Sequence, residues 1–117
     1  MDAPLDTGTL QALSLIPGPD GRPLLDHVAK LALESLPATE AQLRHSAAVL
    51  DWEAARRAAH ALKGTSGSFG AKALSELAKA LEKAVQEEGA PQVETTLNAV
   101  IVEMARVKAA LRALQHS

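Results

Sequence analysis

Apolar positions recur along this chain at the three- and four-residue steps of a helix. Residues 7–16 read as a short helix, with Thr7 or Asp6 as its cap and Leu10, Leu13 and Ile16 on one side. The run from Pro17 to Gly21 is a turn on composition. Pro23 suits the first turn of the next helix, where its missing N–H would have been unpaired. That helix carries Leu25, Val28, Ala32 and Leu36 inward, and Pro37 must kink or break it. Leu43, Ala47 and Leu50 continue the pattern, so 23–50 is either one bent rod or two rods in series. The bent rod is the expectation.

Asp51 reads as the N-cap of a helix from Trp52 to about Ser68, with Gly70 placed to end it. A further helix from about Ala71 to Glu88 carries Leu74, Leu77, Ala78, Leu81 and Val85 at helical spacing. Gly89, Ala90 and Pro91 make a turn. A last helix, about 92–115, then places Leu97, Val100, Met104, Val107, Leu111 and Leu114 on one seam. Such a seam packs nearly antiparallel in a left-handed bundle. A coiled-coil dimer would use the same spacing, but under three heptads favours packing within the chain. The expected fold is all-α: an up-and-down four-helix bundle with a short N-terminal helical cap, one domain over 1–117 with its core at about 10–115.

Composition narrows the class without changing the fold. Of 117 residues, 47% are apolar but only 2% aromatic, a mixture that suits packed helices and suits sheets poorly. A formal net charge of −2 gives no footing for nucleic acid or an anionic membrane surface. The absence of cysteine excludes disulfides and thiolate zinc sites. No apolar run approaches the roughly 18–20 residues that cross a bilayer, and the acidic start, MDAPLDTGTL, lacks the basic opening of a secretory signal. The expectation is a cytoplasmic chain without membrane contact.

The informative segment is Trp52 to Gly70. At about 100° per residue, Trp52, Ala55, Ala59, Leu62, Ser66 and Phe69 form one stripe that should face the core. His60 lies about 200° from Leu62 and should point to solvent. Arg56, Lys63, Gly64 and Gly67 share its side. An exposed mid-helix glycine costs on the order of 1 kcal/mol relative to alanine, and here two stand on the face of the histidine. Their absence of side chains lets another molecule bring its backbone and a phosphoryl group up to the imidazole. A neutral imidazole can attack phosphorus through one ring nitrogen. Lys63, one turn on, can offset the charge of the product, and Arg56 can add to the field. Gly67 could equally loosen the end of its helix, and Arg56 could belong to an ordinary solvated face. His27, His45 and His116 share no metal-ligand spacing with each other or with His60.

The run His60-Ala61-Leu62-Lys63-Gly64-Thr65-Ser66-Gly67-Ser68-Phe69-Gly70 resembles the signature of the histidine-containing phosphotransfer (HPt) domains. That signature reads His-x-Leu-Lys-Gly, then small residues, then an apolar residue and glycine. The resemblance continues through Leu74, Leu77, Ala78, Leu81 and Glu82, and upstream through Asp51 to Ala54. It implies phosphorylation of His60, with Lys63 assisting and Gly64 giving the partner room. Where the family often has glutamine, this chain has Glu82, either an orienter of the ring nitrogen that is not phosphorylated or an ordinary surface residue.

The resemblance implies a phosphorelay carrier that takes its phosphoryl group from a phospho-aspartate receiver domain and passes it to another. Its partners would be receiver domains of a hybrid sensor kinase and a response regulator. The chain shows no nucleotide-binding or kinase motif. It is expected to be a monomer with no cofactor or metal of its own and no kinase activity, the magnesium ion residing on the receiver. Two rivals share part of this pattern. One is the phosphorylated domain of a chemotaxis-type kinase. The other is a non-catalytic helical adaptor, against which the two outer glycines argue.

Overall fold

The computed structural model describes residues 3–115. Over them the chain forms five α-helices and no strand: α1 (Thr7–Leu15), α2 (Leu24–Ala48), α3 (Trp52–Ser68), α4 (Lys72–Lys83) and α5 (Ala90–Gln115). The four long helices pack in a ring, α2 on α3, α3 on α4, α4 on α5 and α5 back on α2, with α1 laid against α2. This is the expected four-helix bundle with its N-terminal cap. Val100, Met104, Val107 and Leu111 of the α5 seam are fully buried and meet Leu36, Leu43, Leu62, Leu74 and Leu81. Leu97 and Leu114 pack at the edge of that cluster. No helix among the described residues is long and apolar enough to cross a membrane. His116 lies outside the described residues.

Of the two candidates for the α1 cap, Asp6 fills the position. Its carboxylate accepts from the Thr9 backbone N–H at 3.0 Å and from the Thr9 hydroxyl at 2.8 Å. Leu10 and Leu13 pack on the core, but Ile16 follows the helix end and is exposed. Pro23 stands just before α2 rather than inside its first turn. α2 is a single helix that runs through Pro37. That proline is on the exposed side, where water can replace the backbone bond that it cannot make.

Leu50 departs from the expected pattern. It lies beyond α2, 64% exposed, with φ +59°. The Asp51 N–H donates to the Ser46 carbonyl at 2.8 Å and the Leu50 N–H to that of Ala47 at 3.2 Å. These two bonds are a Schellman closure, so the chain reverses here and the helical spacing of Leu50 loses its meaning.

α3 begins at the expected cap, with the Asp51 carboxylate accepting from the Ala54 N–H at 3.1 Å. It ends in the same closure as α2, this time with glycine at the left-handed position. The Ala71 N–H reaches the Ser66 carbonyl at 2.9 Å, the Gly70 N–H reaches that of Gly67 at 3.3 Å, and Gly70 has φ +84°. A Cβ on Gly70 would stand 2.9 Å from the Thr9 Cβ, and the Gly70 carbonyl accepts from the Asp6 N–H at 2.7 Å. Gly70→Ala should therefore cost about 1–3 kcal/mol from the left-handed conformation alone, with the collision added. Urea denaturation of the variant measures this, and an unchanged midpoint would exclude a backbone role for Gly70.

α4 is shorter than its apolar spacing implies. The α-helix stops at Lys83, and Ala84–Glu88 form one π turn, closed by the Gly89 N–H on the Ala84 carbonyl at 3.2 Å. One widened turn is too brief to disturb a 3.6-residue period, which is why the sequence reads as helix to Glu88.

Candidate functional site

His60 stands midway along α3. Ala55, Ala58, Ala59, Leu62 and Ser66 turn into the core and Trp52 packs half-buried at its edge, so the opposite face is left to His60, whose side chain is 60% exposed. Gly70 reverses the chain, and Ala71, fully buried, is the pivot about which α4 returns beside α3. His60 and Glu82 lie eleven residues on either side of that pivot, and the hairpin brings them together.

Glu82 is the hub of the site. Its Oε2 lies 2.9 Å from Nδ1 of His60, and its Oε1 accepts from Nζ of Lys63 at 3.3 Å. Nη1 of Arg56 stands 3.8 Å from Oε2. The Glu82 side chain is only 15% exposed, so of the two sequence readings the structure places it on the imidazole and not as a free surface residue. A carboxylate can only accept a hydrogen bond, so a neutral ring beside it carries its proton on Nδ1. The lone pair is then on Nε2, the outer nitrogen.

Burial alone would raise the Glu82 carboxyl, but hydrogen bonds from Lys63 and His60 and the adjoining charge outweigh it and hold the group below the usual carboxylate range. A carboxyl depressed in the folded state contributes stability above its unfolded pKa, near 4.3, and loses it as pH falls through the lower, folded value. Wild type should therefore melt above Glu82→Gln at pH 7, and the gap should close as the pH is stepped down from about 4.5. A gap that stays constant in thermal melts would show that the ionised carboxylate adds nothing.

Arg56 makes its hydrogen bonds to Glu53, donating through Nη2 at 2.6 Å and Nε at 3.1 Å. That pairing raises the already high pKa of the guanidinium, with Glu53 as the main cause. Gly64 opens onto solvent, with no atom within 4 Å of where a Cβ would be. Gly67 is exposed but borders α4, where a Cβ would meet Oγ of Ser75 at 3.6 Å. The two glycines thus differ: Gly64 faces open space on the side of His60, whereas a side chain at Gly67 would come into ordinary contact with α4. Sequence spacing passed over Ser75, whose hydroxyl donates to the Lys63 carbonyl at 2.8 Å. Its place on α4, seven residues before Glu82, is a signal that could have found it.

The Hpt domain family model matches residues 27–117, a span that contains all of this geometry. The chain belongs to the Hpt domain family. Comparison with curated proteins and with solved structures gives no match. Hpt domains are helical-bundle phosphocarrier modules rather than kinases, and they act by histidine phosphotransfer with receiver domains in phosphorelays.

Proposed function

We propose that this Hpt domain accepts a phosphoryl group on Nε2 of His60 from the phospho-aspartate of one receiver domain and hands it to the aspartate of another. The observation that carries the reading is an exposed imidazole with its inner nitrogen on Glu82. In the accepting step the Nε2 lone pair forms the P–N bond as the P–O bond to the receiver's aspartate breaks and that carboxylate leaves. The Nδ1 proton stays on the ring, bonded to Glu82, so no base has to remove it. Positive charge spreads over the ring as the bond forms, and the Glu82 carboxylate lies where it stabilises that charge. Returning the group to an aspartate runs the same step backward.

Lys63, one turn beyond His60, is free to leave Glu82 for the phosphoryl oxygens as a point charge on a flexible stem. Arg56, engaged with Glu53, contributes to the field at longer range. Gly64 leaves room for the receiver's phosphorylated loop, and Gly67 borders α4 beside Ser75. Magnesium belongs to the receiver in this scheme, and the domain brings neither nucleotide nor kinase activity. The α5 seam is spent inside the bundle, which favours a monomer, and a carrier between receiver domains works in the cytoplasm.

The test is incubation with a panel of phosphorylated receiver domains, with ATP alone and with the catalytic core of a chemotaxis-type kinase as the other arms. Rapid labelling by a subset of receivers supports the reading. Labelling by the kinase core and by no receiver would replace it with the chemotaxis-type alternative, and labelling by ATP alone would overturn it.

A further inference from the structure

The α3–α4 face holds two linked contacts, the His60–Glu82 pair and the Ser75–Lys63 bond. Gly67 and Ser75 lie four residues on either side of Ala71, as His60 and Glu82 lie eleven, so both pairs belong to one antiparallel register. Seven residues are two helical turns, which puts Ser75 on the stripe of Glu82 and Gly67 on the stripe of His60. The Ser75 hydroxyl reaches across to the Lys63 carbonyl at 2.8 Å, and Gly67 stands beside it, its Cβ position 3.6 Å from that hydroxyl. We propose that Ser75 is a positioning residue, whose bond to the Lys63 backbone beside Gly67 fixes α4 on α3 and thereby holds Glu82 on Nδ1 of His60.

The leverage is geometric. Side chains extend a helix to a radius of about 5–6 Å, so a roll of α4 by about 10° moves the Glu82 carboxylate by about 1 Å. A displacement of that size takes a 2.9 Å hydrogen bond out of range. Glu82 has three rotatable bonds and cannot set its own position, whereas Ser75 is short and ends on a backbone atom that α3 holds rigid. The Lys63 carbonyl also accepts the helical bond from the Gly67 N–H, so losing the serine hydroxyl strands no acceptor and leaves the bundle folded.

The test reads the ring directly. Nitrogen chemical shifts of the His60 imidazole report the share of the tautomer protonated on Nδ1, in wild type, Ser75→Ala, Ser75→Cys, Ser75→Thr and Glu82→Ala. Ser75→Ala should move that share toward the Glu82→Ala value, Ser75→Cys should fall between, and Ser75→Thr, which keeps the hydroxyl, should restore it. Phosphoryl uptake from a cognate receiver should slow by roughly fivefold or more in Ser75→Ala, since about 1 Å of misplacement can cost a hundredfold. This rate rests on the proposed phosphotransfer, but the tautomer does not. A wild-type ring spectrum in Ser75→Ala overturns the positioning role whether or not His60 carries phosphate. If Ser75→Ala fails to fold, a wild-type ring in Ser75→Cys overturns it equally.

Discussion

His60→Gln should fold as wild type does and take up no phosphate from any receiver domain. The imidazole is exposed and its side-chain hydrogen-bond partner among the described residues is Glu82, so glutamine, which can offer its amide to the same carboxylate, leaves the core untouched. Surface changes away from caps and core are usually worth within about 0.5 kcal/mol. The activity loss should be complete, because a carboxamide nitrogen has no lone pair available to attack phosphorus. In wild type the label should be acid-labile and alkali-stable, as a phosphoramidate is, and should sit on a single residue. Persistent label in His60→Gln, read by phosphoprotein gel after acid and alkali treatment, would remove His60 from its role.

Gly64→Gln should separate docking from folding. Gly64 lies inside α3, outside the left-handed region that Gly21, Gly70 and Gly89 occupy, and a side chain there meets nothing. Glutamine is the better helix former, so the variant should be more stable by up to about 1 kcal/mol. It would also project from the face of His60, one turn on, where the receiver's loop must come close. Misplacing the reacting atoms by about 1 Å can cost on the order of a hundredfold in rate, and a loss of that order is expected in rapid-quench transfer assays. Transfer at the wild-type rate would show that the receiver does not approach over Gly64.

Where sequence and structure agree, the signal was spacing. The α5 seam, the buried stripe of α3 and the outward turn of His60 follow from residues three and four apart, because one helix has one geometry. What escaped depends on neighbours distant in the chain. Lys108 on α5 bonds Glu40 on α2 at 3.3 Å, and no pattern within one helix announces that pairing. Glu82 was legible as a candidate only, since its contact with His60 needs the turn at Gly70 and Ala71 to fix the pairing of two helices. Leu50 and the π turn were misread for the opposite reason. Each is a local backbone event of one or a few residues, too short to interrupt the period around it.

The N-terminal segment has a consequence for where this unit begins. The family match starts at residue 27, past α1, yet Leu5 is part of the core cluster, the Asp6 N–H is bonded to the Gly70 carbonyl, and Lys72 stands 3.5 Å from the Asp6 carboxylate. These contacts grip the bend that sets α3 against α4. A chain trimmed to the span that defines its kinship would keep every residue of the proposed phosphorylation site and lose the clasp on the elbow that aligns them. Amide protons near that elbow should then exchange faster with solvent while those of the α5 seam hold.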